Sequence, residues 1–89
     1  MIRAKFVVET VTQHRGSIID PKTGLAVPGA HPCTVQLNPV YSDDKNSENG
    51  KFYAATPGGS ITLSWVRPEV AAQFEVGKAY YIDFTPASE

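Results

Sequence analysis

The single cysteine and its neighbouring histidine are the residues whose types could support nucleophilic catalysis. Cys33 follows His31 by two positions, which would place both side chains on the same face of an extended segment. Pro32 holds the backbone between them extended, so their Cα atoms would lie about 7 Å apart. A thiolate nucleophile needs a base within hydrogen-bond reach, and no protease-like or Cys-x-x-Cys sequence surrounds Cys33. We therefore expect an inert, half-buried thiol beside a loop histidine.

Metal and phosphate sites require spacings that this chain lacks. His14, His31 and Cys33 are suitable zinc ligands, but they are not arranged in the paired spacings of zinc sites. The segment Pro57-Gly58-Gly59-Ser60 has no lysine of a phosphate-binding loop and is expected to form a turn. Neither segment predicts a ligand.

The acidic loop around residue 46 resembles a calcium loop only in part. Asp44, Asn46 and Glu48 alternate as the ligands of an EF-hand do, but the required glycine comes one place late, at Gly50, and the twelfth position is Ala55. A solvated loop is the simpler interpretation. Taken with the absence of any nucleophile motif, these patterns predict no metal, no cofactor and no enzymatic activity.

Length and composition bound the class of protein. The chain has 89 residues, a formal net charge of −1 and one cysteine, so we expect one domain, residues 1–89, with no internal disulfide. No apolar run approaches the roughly 20 residues that span a bilayer, and no signal-peptide pattern follows the first residues. We expect a protein that stays in the cytosol or is assembled from it, with no membrane partner.

Alternation of apolar and polar residues predicts five short strands. In the first, Ile2, Ala4, Phe6 and Val8 share one face. The others are predicted at 34–41, 51–55, 60–66 and 78–85. Trp65 has the same alternation as Ile61 and Leu63 and is therefore expected in the core.

A short helix is predicted before the last strand. Pro68 suits the first helical position, Val70 and Phe74 form an inward stripe, and Gly77 stops the helix. The pattern predicts a mainly β fold: a small antiparallel β-barrel or roll, OB-like or SH3-like, of about five strands.

Residues 14–33 do not fit a compact barrel, because hairpin loops usually need two to five residues. Within them, apolar runs flank the turn sequence 20–24, which predicts a protruding β-hairpin arm. Its apolar side chains are Ile18, Ile19, Leu25 and Val27. A two-stranded hairpin is marginal alone in water, so the arm either folds back on the barrel end or docks on another chain.

A nucleic-acid surface is the alternative interpretation. OB-like barrels stack bases on exposed aromatic side chains within a basic groove, and Arg3, Lys5, Tyr53, Arg67 and Tyr81 could supply such a face. The number of basic residues is ordinary for a domain of this size.

Several stretches resemble a family of short tailed-bacteriophage (Caudoviricetes) proteins. The stretches that carry the resemblance are Asn38-Pro39-Val40-Tyr41-Ser42, Glu48-Asn49, 55–63 and 74–87, together with the opening six residues. The resemblance covers residues 1–13 and 34–87, and the arm departs from it. It implies a phage origin and a place among virion or assembly proteins, but no catalytic residues.

We therefore expect a non-enzymatic phage structural protein, most simply a capsid decoration or cement protein. It would bind the major capsid protein or copies of itself through the arm and strand edges, and would be found in virions assembled in the host cytoplasm. The alternative is a single-strand-binding or anti-defence protein of the infected host cytoplasm.

Overall fold

The protein is described by a computed structural model over residues 2–40, 46–55 and 58–88, with the backbone alone over 52–55. The fold is mainly β with two short helices. In chain order the elements are β1 (Ile2–Gln13), β2 (Cys33–Pro39), α1 (Glu48–Ala55), β3 (Ile61–Val66), α2 (Pro68–Ala71) and β4 (Ala79–Phe84). Neither of these helices is long and apolar enough to span a bilayer.

One antiparallel sheet of four strands, in the order β3-β2-β1-β4, organises the molecule. The long β1 pairs with β2 along its second half and with β4 along its first half. A β-bulge between Val8 and Thr10 interrupts the first of these ladders, and bulges bend a strand and increase its twist. The sheet is consequently a curled half-barrel with β3 and β4 at its two edges.

The core lies on the concave face of this sheet. Its most buried members come from the two central strands and alternate along each of them: Ala4, Phe6, Val8, Val35 and Leu37. The edge strands and the segment before β4 add half-buried side chains, including a ring contact between Phe74 and Tyr80 with centroids 5.6 Å apart. The inward face predicted for β1 is confirmed for Ala4, Phe6 and Val8, whereas Ile2, at the start of the strand, is exposed.

The strand predicted at 51–55 is wrong, because these residues belong to α1. Ser47 caps this helix: its hydroxyl accepts the N–H of Gly50 at 3.0 Å, and its carbonyl accepts that of Lys51 at 3.1 Å. A serine cap with Glu48 in the first turn favours a helix start. This local stabilisation outweighs the tendency of Asn49-Gly50 to form a turn. The described sheet therefore has four strands.

The strand predictions at 34–41, 60–66 and 78–85 are confirmed over the described residues, with ends shifted by one or two positions. Tyr41 and residues 42–45 of the acidic loop lie outside the described residues, as does the first residue of the turn predicted at 57–60. The end of that loop, from Glu48 on, belongs to α1, which corrects its predicted loop conformation. The predicted helix at 68–74 ends earlier, at Ala71. Ala71 is its buried residue, whereas Val70, expected to face inward, is exposed.

Trp65 is exposed, which corrects its predicted place in the core. Leu63 pairs with Val35 and Val66 with Cys33, so two residues of β3 lie opposite one of β2. Trp65 sits in this bulge with φ +59°, a conformation that is rare for bulky residues. The bulge breaks the alternation that would have turned the indole inward, and leaves its side chain 61% exposed.

Candidate functional site

Within the arm (residues 14–33) the chain folds back on itself as a hairpin. Ile19 and Ala26 form an antiparallel bridge. The N–H of Asp20 donates to the carbonyl of Leu25 at 2.9 Å, and that of Val27 to the carbonyl of Ile18 at 2.8 Å. These bonds hold the two sides of the arm in one register.

The turn of the arm is fixed by its own side chains. A carboxylate oxygen of Asp20 accepts the N–H of Lys22 at 2.8 Å, and the Thr23 hydroxyl accepts the N–H of Leu25 at 3.2 Å. Gly24 has φ +72° and donates its N–H to the carbonyl of Asp20. Such Asx turns predispose the chain to reverse direction, so the turn is shaped without help from the sheet.

The base of the arm is tied to the sheet. His14 donates its N–H to the carbonyl of Pro32 at 2.9 Å, which continues the ladder beyond β1. His31 Nδ1 lies 2.9 Å from the carbonyl of Gly16, and since a carbonyl only accepts, this nitrogen carries the proton. The backbone near the base is therefore held on both sides.

Ile18 is buried, with 4% of its surface exposed. Of the four apolar side chains predicted to bind a partner, it is the one that folds back onto the protein. A partner cannot contact Ile18 unless the arm opens, so the predicted binding set loses this residue. Ile18 is thus buried while the end of the arm is exposed, and docking of that end on another chain stays a prediction.

The other three apolar side chains form an exposed arm tip. Ile19, Leu25 and Val27 are 51%, 69% and 37% exposed. Because Ile19 and Leu25 flank the rigid turn, they are presented in a fixed geometry. An ordered apolar tip of this kind can bury its side chains only against another surface.

A second apolar feature lies where the two edges of the half-barrel approach each other. This seam groove has a volume of about 410 Å³. Its apolar lining comes from β2, β3, β4 and the segment before β4: Leu37, Ile61, Leu63, Phe74, Tyr80 and Ile82. It opens between two strands whose outer edges have no strand neighbour in the described sheet.

Three of the residues predicted to bind nucleic acid do come together, on the convex face, but they are already paired. Arg3 forms a salt bridge with Asp83 at 2.7 Å, and Lys5 Nζ lies 3.5 Å from a carboxylate oxygen of Glu48. Both cations lie over the ring of Tyr81, at 5.2 and 5.8 Å from its centroid. Both cations are therefore engaged by carboxylates of the protein, and Tyr81 itself is 53% exposed.

Hydrogen bonding within this network shifts the ionisation of its acids. The Tyr81 hydroxyl donates to Glu48, which lowers the pKa of that carboxyl, and the positive charge of Lys5 lowers it further. The same hydrogen bond raises the pKa of Tyr81. The bond from Arg3 lowers the pKa of Asp83 and raises that of Arg3. The network therefore fixes α1 against β1 and β4.

Arg67, a fourth predicted nucleic-acid residue, does not join that face. Arg67 follows β3 at the opposite end of the sheet, next to the pairing of Val66 with Cys33. Arg3 and Gln13, which pairs with Cys33, are ten residues apart on β1, a separation of roughly 33 Å along a strand. Tyr53 lies in α1, and its side chain is outside the described residues. The predicted five-residue surface is not one surface.

The cysteine and histidines show no catalytic geometry. Cys33 is buried, and its Sγ lies 3.8 Å from the carbonyl of His31, to which it donates. The ring of His31 is engaged by Gly16, and that of His14 lies 2.6 Å from the Thr34 hydroxyl. Over the described ranges, no three His, Cys, Asp or Glu side chains are grouped so as to hold a metal ion.

The sequence pattern gave no indication of two features of the surface. The seam groove depends on β3 and β4 failing to meet, which no local pattern encodes. The exposure of Trp65 depends on a bulge, and strict alternation assigned it to the core. The chain was compared with protein-family models, curated proteins and solved structures, and it matches none of them.

Proposed function

We propose that this protein is a non-enzymatic binding module that attaches to a neighbouring protein subunit through the arm tip. The observation that carries this proposal is an ordered hairpin whose base is anchored by Ile18 while Ile19, Leu25 and Val27 remain exposed. If the arm only covered its own sheet, burial of all four of its apolar side chains would be favourable. Three of them are instead exposed to water.

The energetics favour docking. Burying an aliphatic side chain that was fully exposed contributes about 1.5–3 kcal/mol; Ile19 and Leu25 are each more than half exposed. Because the arm is already ordered, little further conformational entropy is lost on binding, and preorganisation of this kind increases affinity. The tip is therefore suited to act as the central contact of an interface.

The accessible surface area of the protein supports a state in which a partner covers part of it. The accessible surface is 6447 Å², whereas a monomeric protein of this mass has about 5,100 Å². The excess of roughly 1,300 Å² exceeds the roughly 800 Å² that one partner contributes to a standard interface. A neighbouring subunit on the arm and on the exposed edges would cover surface of that order.

The sheet edges offer a second contact with the same partner. Unpaired edges readily accept an added strand, and the seam groove lies between the two edges of this sheet. A strand supplied by the partner would give the half-barrel a fifth strand. We propose that this completed barrel is the OB-like or SH3-like roll of about five strands.

The resemblance to tailed-bacteriophage proteins favours a virion as the assembly. In this proposal the protein decorates or cements a capsid, or is another virion component, and its partner is the major capsid protein or a further copy of itself. Repetition on a lattice multiplies a weak contact, so a tip of three side chains suffices. No cofactor enters this proposal.

The test is incorporation of arm variants into particles. We expect the double variant Ile19→Asp, Leu25→Asp to be lost from purified virions, measured by quantitative mass spectrometry, because each change places a charge in the buried contact. Val76→Asp is the matched control, since Val76 is similarly exposed, at 64%, but lies outside the arm. It should be incorporated as the wild type is.

Two outcomes would overturn the proposal. One is wild-type abundance of the double variant in particles, with its fold verified by circular dichroism. The other is the absence of the unmodified protein from virions, combined with a monomer in sedimentation at high concentration, which would remove both proposed partners.

A further inference from the structure

Trp65 and two arginines form a surface that the proposed function does not use. We infer that this Trp65 patch, defined as Trp65, Arg15 and Arg67, binds single-stranded nucleic acid, with a base stacked on the indole and phosphates bound by the arginines. The inference is independent of the arm tip.

The indole is held in place and open. A Cβ built on Gly16 would lie 3.0 Å from Cη2 of Trp65 and 3.3 Å from Cγ of Pro32, so one edge of the ring rests against the base of the arm. The residue as a whole is 61% exposed. A fixed, exposed aromatic ring is the platform on which single-stranded nucleic acids stack their bases.

The backbone at Trp65 is in a strained conformation. Its φ of +59° lies in the left-handed region, which is unfavourable for a residue with a Cβ. Glycine or asparagine would occupy this bulge position with less strain. Strain of this kind concentrates at functional sites, so an exposed tryptophan here is consistent with a binding role.

Two arginines that have no salt bridge in the described structure lie close in the chain to Trp65 or to the residue that its ring contacts. Arg15 precedes Gly16, the residue against which the ring rests, and Arg67 follows Trp65 by two positions in extended backbone. Neither arginine forms a salt bridge within the described part of the chain, whereas Arg3, Lys5 and Lys78 each do. Two of the cations that have no salt bridge in the described residues are thus close in the chain to the exposed tryptophan.

An open depression continues the patch along the base of the arm. It has a volume of about 550 Å³ and is lined by Gln13, His14, Arg15 and His31. No carboxylate lines it, and the nearest one in sequence to Arg67 is Glu69 on α2. Donors and positive charge without acids suit a phosphate backbone. A single strand is favoured over a duplex because only unstacked bases can reach an indole.

The chain provides its own probe, because Trp65 is its only tryptophan. Titration with a thymidine decamer should quench the intrinsic fluorescence, since stacking on the ring is the binding event. With two phosphates neutralised, the logarithm of the affinity should fall with the logarithm of the salt concentration with a slope of about −1.4.

Variants locate the contact. Arg15→Ala and Arg67→Ala should each weaken binding and reduce that slope by about 0.7. Trp65→Gly, which accepts the positive φ, should weaken binding of a labelled decamer about 5- to 140-fold, as expected for the loss of one stacked base. Lys22→Ala is the control, because Lys22 is an exposed cation on the turn of the arm with no ion pair in the described structure. It should change nothing.

The inference is wrong if the decamer leaves the fluorescence unchanged, or if the arginine variants bind with the wild-type slope. It is also wrong if polyglutamate quenches the indole as strongly as the decamer at equal salt, since the patch would then recognise acidic protein. The Ile19→Asp, Leu25→Asp protein should bind the decamer normally, so failure of this inference is distinguishable from failure of the arm proposal.

Discussion

At the scale of residues, the convex face is organised by the hydrogen bond between Tyr81 and Glu48. It joins β4 to α1, while Lys5 of β1 contacts both Glu48 and Asn49 of the helix. Because the folded pKa of Glu48 lies below its unfolded value, the contact stabilises the folded state above the unfolded pKa, and this contribution is lost as pH falls through the folded pKa. The Glu48 side chain is exposed, so salt weakens its attraction to Lys5.

We expect Tyr81→Phe to raise the pKa of Glu48 toward its ordinary value, because the largest cause of its depression is removed. The rise should be partial, since Lys5 remains. A side-chain NMR titration measures it, and Asp83 is the internal reference, because its pKa is lowered by Arg3 rather than by Tyr81. An unmoved Glu48 in the phenylalanine variant would show that the hydrogen bond does not set its ionisation.

At the scale of elements, the arm contains two neighbouring isoleucines, one of which is buried while the other is exposed. Ile18 and Ile19 are adjacent, and the alternation of a hairpin places them on opposite faces. The sequence predicts the hairpin and its turn from residues 20–24. It does not determine which isoleucine faces inward, because that depends on how the base is tied through His14 and His31.

The pair offers a matched test of the anchored arm. We expect Ile18→Ala to destabilise the docked arm by about 2–5 kcal/mol, or by its full opening free energy where that is smaller, because a buried side chain is truncated. Ile19→Ala should change it by less than about 0.5 kcal/mol. Amide hydrogen exchange at Val27, which donates to Ile18, reports the difference. Equal exchange in both variants would show that Ile18 does not anchor the arm.

The two helices show how local signals compete. Residues 51–55 alternate well enough to predict a strand, yet the Ser47 hydroxyl caps a helix there. The pair Asn49-Gly50, a sequence common in hairpin turns, lies inside this helix. By contrast, Pro68 predicted the start of α2 correctly because its fixed φ suits the first helical position.

At the scale of the whole molecule, the protein is too extended for its length. Its radius of gyration is 16.2 Å and its extents are 52 × 33 × 18 Å, whereas a compact domain of 89 residues has a radius of about 12 Å. The antiparallel strands and the buried face of β1 follow from alternation alone. The failure of the sheet to close does not, because closure depends on whether two strands far apart in sequence meet.

The exposure of Trp65 likewise depends on pairing between strands that are distant in sequence. A one-residue bulge in β3 against Val35 reverses the predicted side of the indole. A shift of one residue moves a side chain to the other face of a sheet, and nothing within β3 alone specifies it. The central strands of this fold can therefore be predicted from the sequence, whereas the bulge and the exposed tryptophan cannot.

Covalent footprinting of the side chains tests the central claim most directly. Ile19, Leu25 and Val27 should be labelled in the free protein and protected in assembled particles or self-assembled copies, while Val76, outside the arm, stays labelled in both states. Equal labelling of the arm tip in the free and assembled states would contradict the account.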